Sequence, residues 1–193
     1  RNRDLKLALL EISHIDPKLH PSRFPDVLPE YIPHLHHDWG YVFLKICQQY
    51  TRVHYDVVYV VPWIIPGGAD LMIINHANVC ARHGKKVLVI CTLDAKKSTW
   101  ASMLDDNVEF FELGPLISSM PYDIQILFLT KLFLQMAPDN IHIINSKLGH
   151  ECLIKYGAAL VQCTSLFSTF YCDDVRTDGT IAGYVVDYFT EEY

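Results

Sequence analysis

From residue 54 onward, continuous apolar runs take turns with amphipathic stretches. Five runs are rich in β-branched and aromatic residues: Tyr55–Trp63, Lys86–Thr92, Val108–Leu113, Asn140–Asn145 and Leu166–Cys172. Inside them apolar residues follow one another instead of alternating with polar ones, as expected of strands covered by helices on both faces. The stretches between, Asp70–His83, Thr99–Asp105, Tyr122–Met136 and Gly149–Cys163, carry helical spacing. Gly84 follows the first of these and Pro138 the third, both at places where a helix is expected to stop.

Strand and helix in turn predict an α/β domain over residues 54–193. The expected form is Rossmann-like and doubly wound, a mostly parallel sheet flanked by helices. The first 53 residues have another texture. Arg1 to Ile15 places Leu5, Leu7, Leu9, Leu10 and Ile12 at helical spacing. Five prolines, at 17, 21, 25, 29 and 33, then interrupt the chain before Trp39 to Tyr50 becomes helical again. This predicts a helical, proline-rich lead-in that packs on the main domain, or the tail of a preceding one.

Composition narrows the class. Half of the 193 residues are hydrophobic and a fifth are charged, which supports a sizeable core and excludes a disordered chain. A formal net charge of −6 argues against a nucleic-acid partner. Six cysteines, at 47, 80, 91, 152, 163 and 172, stand singly, with no CxxC spacing. They read as small buried hydrophobes in a reducing compartment. No apolar run approaches the roughly 20 residues of a membrane span. The expected location is the cytoplasm, with peripheral association at the inner face of the membrane left open.

One junction carries the chemistry. The first strand passes through Trp63-Ile64-Ile65-Pro66-Gly67-Gly68-Ala69-Asp70 into the first helix of the alternating region. Open α/β sheets bind ligands at the carboxyl ends of their strands, near the reversal of strand order. The free amides of a helix N-terminus there can receive an anion. Gly67 and Gly68, lacking Cβ, can take positive φ and let the main chain approach a phosphate; a tight turn with no ligand accounts for the same residues. Asp70 caps the helix or complements its dipole, and it also sets a negative charge beside the expected anion. The GxGxxG fingerprint is missing, which weakens a nicotinamide-binding reading, and Asp94 is the one acid placed to serve a ribose after the second strand.

The run from Tyr55 to Thr92, with its Gly67-Gly68-Ala69-Asp70 turn and its helix end at Arg82-His83-Gly84-Lys85-Lys86-Val87, resembles the opening of retaining GT-B glycosyltransferases of family four. Pro138-Asp139-Asn140-Ile141-His142-Ile143-Ile144-Asn145-Ser146 is similar to that family's fourth strand, and Leu166 to Asp174 to the strand after it. The likeness runs from about residue 54 to the end, through short motifs in the family's order. It implies the N-terminal, acceptor-side half of a transferase acting in polysaccharide assembly. Its substrates would be a nucleotide-sugar donor and a glycan or lipid-linked acceptor. The C-terminal donor domain would be a missing partner, and this piece alone would be inactive. Gly67 and Gly68 would then face the donor phosphates, without metal or cofactor, because amides pre-positioned at the leaving diphosphate stabilise its growing charge. Asn145, Ser146, Asp173 and Asp174 would line the acceptor side. Members of the family often carry histidine where this chain has Asn145; asparagine orients a hydroxyl but shuttles no proton near neutral pH, so no catalytic residue is assigned.

Other candidates carry less. His34, His36, His37 and Asp38 fit no zinc spacing. His142 reads as a hydrogen-bonded core residue, and His150-Glu151 as the capped or exposed start of a helix. The loop from Asp173 to Gly179 lacks the glutamate and spacing of an EF-hand and is expected to touch substrate or solvent. Ile124 to Met136 has no basic face for a membrane surface and is expected to pack inside. A non-catalytic docking module of a glycan-assembly protein is the alternative to an enzyme.

Overall fold

The computed structural model describes residues 2–15, 37–51, 53–94, 97–171 and 174–192. The chain divides into two compact units, Arg1–Tyr41 and Val42–Tyr193. Helix α1 (Asn2–Ile12) belongs to the first. The expected proline-rich stretch, with His34 and His36, lies outside the described residues. Helix α2 (His37–Tyr50) begins with His37 and Asp38, whose side chains are likewise undescribed. Its second half belongs to the larger unit, where the Tyr50 ring lies 4.5 Å from Phe111 and Phe43 meets Phe128 edge-on at 5.1 Å. The main unit therefore starts earlier than residue 54, because apolar rings on α2 pack on Phe111 and Phe128 of that unit.

In the larger unit five parallel strands form one sheet in the order β3-β2-β1-β4-β5. They are β1 (Val57–Val61), β2 (Val87–Cys91), β3 (Val108–Glu112), β4 (Asn140–Ile144) and β5 (Ser165–Thr169). Helices α3 (Gly68–Arg82), α5 (Tyr122–Met136) and α6 (Lys147–Leu160) flank it, giving the doubly wound, Rossmann-like fold. Interior strand β2 is buried at every position, whereas edge strand β5 is half open and leaves Phe167 52% exposed. This gradient explains the continuous apolar runs: a strand buried on both faces gains from apolar residues at odd and even positions alike.

On one face Tyr59, Val61, Val87, Val89, Cys91, Val108 and Ile144 pack against Ile73, Ile74, Ala77 and Ala81 of α3. On the other, α6 comes so close to β4 that a Cβ on Gly149 would stand 2.8 Å from Ile143. The Cys152 thiol reaches the Ile126 carbonyl at 3.4 Å, tying α6 to α5. Seven apolar or small residues of α5 are buried, so the apolar segment from Ile124 to Met136 is core, as expected. Among the described residues no helix is long and apolar enough to cross a membrane.

The expected stops hold. Gly84, at φ 78°, ends α3; its amide bonds to Ala81 O, and that of Lys85 bonds to Cys80 O. Ala137 ends α5 in the left-handed region at φ 43°, just before Pro138, whose ring disfavours a helical conformation in the residue ahead of it. Two expectations need correction. Thr99–Asp105 is not an α-helix but a single 3-10 turn, Ala101–Met103. Local bonds hold it in that form: the Trp100 amide donates to Ile64 O, the Ser98 hydroxyl accepts the Ile64 amide, and Asn78 binds both Met103 O and the Asp105 amide. Beyond β5 the chain adds a hairpin of β6 (Asp174–Val175) and β7 (Ile181–Ala182) and then helix α7 (Tyr184–Glu192), none of which the periodicity announced. A short helix α4 (Gly114–Ile117) was also unannounced. Cysteines 47, 80, 91, 152 and 163 are free; Cys91 and Cys152 are buried as expected, but Cys163 is exposed, at the turn that ends α6.

Gly114 fixes the spacing between strand ends. A Cβ there would stand 2.4 Å from the Leu93 carbonyl carbon and 2.8 Å from the Asp94 amide, both main chain, which cannot swing aside as a side chain can. Gly114→Ala should therefore destabilise the protein by about 2 kcal/mol or more, as for other overpacked sites. Urea unfolding of the two proteins measures this, and an unchanged midpoint would refute it.

Candidate functional site

Strand order reverses between β1 and β4, which pair side by side from Val57↔Asn140 to Val60↔Ile143. The chain leaves β1 toward α3 on one face and β4 toward α6 on the other, so the two exits diverge and leave a hollow. A cavity of about 500 Å³ occupies that place. Its walls come from Pro62 and Trp63 after β1, Ala69, Asp70 and Ile73 of α3, Leu93 after β2, Ile144 and Asn145 at the end of β4, Tyr171 after β5, and Gly183 and Tyr184 at the start of α7.

The paired glycines immediately precede the wall residues Ala69 and Asp70, are not themselves part of the wall, and are not buried. Gly67 is the N-cap of α3 with φ −177° and ψ 156°, and Gly68 is exposed at the first helical position. The expectation of positive φ is not met: among the described glycines only Gly84, Gly179 and Gly183 have it. Among the described residues a Cβ on Gly68 would meet nothing within 4 Å, and one on Gly67 would press only on the movable tip of the Asp70 carboxylate, at 2.8 Å. Packing inside the chain thus does not require glycine at 68; open space lies in front of it.

Asp70 lies in the first turn of α3 and faces the cavity. Its Oδ1 accepts the Ile65 amide at 3.3 Å, and its own amide also bonds to it. Burial raises the carboxyl above its ordinary value, against the pull of those two amides. Its charge is felt at Tyr171, whose hydroxyl is pushed up by burial and then by Asp70. The carboxylate itself therefore complements part of the positive helix end that the sequence offered to an anion.

Asn145 lines the cavity from the end of β4, with its backbone at φ 51°. Few side chains tolerate the left-handed region, and asparagine is among those that do. Ser146, expected beside it on the acceptor side, is fully buried. Its hydroxyl accepts the Gly149 amide at 3.1 Å as the N-cap of α6 and lies 2.8 Å from the Thr92 hydroxyl. A free first-turn amide needs such an acceptor, so Ser146 closes the helix start and the structure moves it from ligand binding to capping. Asp173 lies outside the described residues; Asp174 pairs with Ala182 in the small hairpin, and its side chain is not described.

Tyr171, Tyr184 and Trp63 are wall residues to which the sequence reading gave no role. Their signal was present only as scattered aromatics near strand ends. His150, expected at an exposed or capped helix start, is instead fully buried. Its ring lies 4.9 Å from Phe170 and 5.1 Å from Tyr188, both nearly parallel, and 5.5 Å from Tyr184. Ser168 Oγ approaches its Nδ1 at 3.3 Å, and the Tyr188 hydroxyl donates to Glu151 at 3.2 Å. This aromatic stack seats α7, which brings Tyr184 to the cavity.

A second cavity of about 240 Å³ shares Leu93 with the first and includes Asp94, Tyr122, Gln125 and Lys147. The Lys147 ammonium lies 5.7 Å from the Tyr122 ring centre. His142 stays outside both. It bonds Thr169 at 2.7 Å between the Tyr59 and Phe167 rings, the core role expected of it. Among the described residues no three His, Cys, Asp or Glu side chains converge to hold a metal ion. No protein-family model matches the chain, and no curated protein matches it either.

Two titrations follow. A carboxyl raised by folding favours its protonated form, so that contribution is present below its ordinary value of 3.8 and is lost as pH rises through the raised value. Asp70→Asn should then melt about 2 °C above the wild type at pH 7, the gap closing toward pH 4; a lower melting temperature at pH 7 would contradict this. Burial, and then the field of His76, depresses the His142 imidazole to about 4. A depressed histidine stabilises the fold above its ordinary value of 6.5, and that stability is lost as pH falls toward 4. His142→Gln should flatten unfolding free energy against pH in that window, and an NMR titration of His142 with a midpoint near 6.5 would rule the effect out.

Proposed function

We propose that this fold is the acceptor-side half of a retaining, nucleotide-sugar-dependent glycosyltransferase that builds a glycan. The observation that carries the reading is the Gly67-Gly68-Ala69-Asp70 turn, with Gly68 exposed and with Ala69 and Asp70 lining a cavity at the β1/β4 reversal of strand order. The order of short motifs that resembles family four supports it, and so does the cavity wall. Aromatic rings beside a carboxylate and an amide suit a sugar, whose ring has apolar C–H faces and polar hydroxyls.

In this reading a second Rossmann-like half presents the donor across the glycine turn. The first amides of α3, at Gly68 and Ala69, have no partner within the helix by construction, and the bare Gly68 backbone lets a diphosphate come near. As the sugar bond breaks, negative charge grows on the leaving diphosphate, and fixed N–H donors stabilise it without rearranging. Asn145 and Asp70 orient hydroxyls of the sugar in the cavity. The open edge of β5, with Phe167 half exposed, favours the docking-module alternative enough to keep it in the test.

Sugar transfer by the full-length gene product, assayed against a panel of nucleotide sugars, separates the two. Gly68→Val should fold normally, since its new side chain meets open space, yet lose about a hundredfold or more in transfer. Full activity in that variant would remove the glycine turn from the mechanism, and no transfer by the wild type with any donor would favour docking.

A further inference from the structure

We propose that the larger cavity selects its sugar by charge: it takes an uncharged, polyhydroxylated ring and turns away anionic sugars, with Asp70 as the residue that sets the preference. The inference rests on the glycosyltransferase reading and deepens it by naming the substrate class of this site.

The wall is built for a neutral ring. Trp63, Tyr171 and Tyr184 contribute aromatic surface, and Asp70 and Asn145 the polar side chains. The negative face of an aromatic ring meets the weakly positive C–H bonds of a pyranose, a contact that needs no charge on the sugar. A sugar hydroxyl donates to the Asp70 carboxylate in a charge-assisted bond, and the Asn145 amide both donates and accepts. At about 500 Å³ the space falls within the range of small-molecule sites.

The same wall is hostile to an anion. Among its described residues Asp70 is the only charged side chain, and no lysine, arginine or histidine joins it. Toward the cavity Asp70 takes the Ile65 amide and its own, so its carboxylate, not a free amide, faces the hollow; the Gly68 amide assigned to the diphosphate belongs to a residue outside the wall. The Asp70 charge reaches across the cavity to Tyr171. In a recess with apolar walls such a field is screened less than at an open surface, so a second carboxylate entering beside Asp70 is repelled. Lys147 lines the neighbouring cavity, not this one.

The test uses the 193-residue chain and pairs of probes that differ in charge. Methyl glucopyranoside, galactopyranoside and mannopyranoside, each with its uronate counterpart, are titrated at pH 7 while NMR follows the backbone amides of Asp70, Asn145 and Gly183. At least one neutral glycoside should shift those amides, its uronate should bind tenfold or more weakly, and Asp70→Asn should bring the pair within about threefold while still unfolding cooperatively. A uronate that binds the wild type as well as its neutral partner overturns the charge preference, and so does a gap that Asp70→Asn leaves unchanged. In either case the sugar reading stands. If no glycoside of either kind shifts the cavity amides, the inference falls, and the transfer assay with Gly68→Val decides the broader reading independently.

Discussion

Parallel pairing of β1 with β2 on one side and β4 on the other is the constraint on which the rest of the molecule depends. A strand in the middle of a parallel sheet sends its chain out at the same edge as its neighbours. The connections can then escape only over one face or the other. Here β1 hands over to α3 on one face and β4 to α6 on the other. The hollow between the exits is a product of topology before any side chain is chosen. Burial of both faces makes this pairing strong: Val58, Val60, Ile141 and Ile143 are fully buried.

What closes the hollow is weaker and more specific. The hairpin and α7 join no strand of the main sheet. Helix α7 is seated by packing of Tyr184 and Tyr188 on His150, which also stacks on Phe170, and by the Tyr188–Glu151 bond. Tyr184 therefore does two things, packing on a buried histidine and forming part of the wall. Gly114 sets the opposite side, since its bare backbone lets the β3 exit press on Leu93, the residue common to both cavities.

Electrostatically the site is a compromise inside one turn of helix. The positive end of α3 attracts negative charge, and the chain supplies its own at Asp70, held partly out of water. A carboxylate so placed weakens the fold somewhat, because burial favours its protonated form. The glycines beside it contribute by what they omit. Among the described residues nothing lies within 4 Å of where a Gly68 Cβ would stand.

The five strands and the large helices were legible in the chain because their cause is local. A strand buried on both faces must be apolar at consecutive positions, and a helix must stop where Gly84 or Pro138 ends it. The turn at Gly67-Gly68 and the place of Asn145 at the end of β4 were legible as well, since both follow from the alternation of strand and helix. The fates of Ser146, His150 and Thr99–Asp105 were not. Each depends on partners far along the chain: Thr92 for Ser146, Tyr184 and Tyr188 for His150, and Ile64 and Asn78 for the 3-10 turn. Nor could the sequence say that Trp63, Asp70, Asn145, Tyr171 and Tyr184 share one wall. Local spacing encodes which face a residue occupies along its own element; where elements converge is set by how the sheet pairs, and that arises only when distant strands meet.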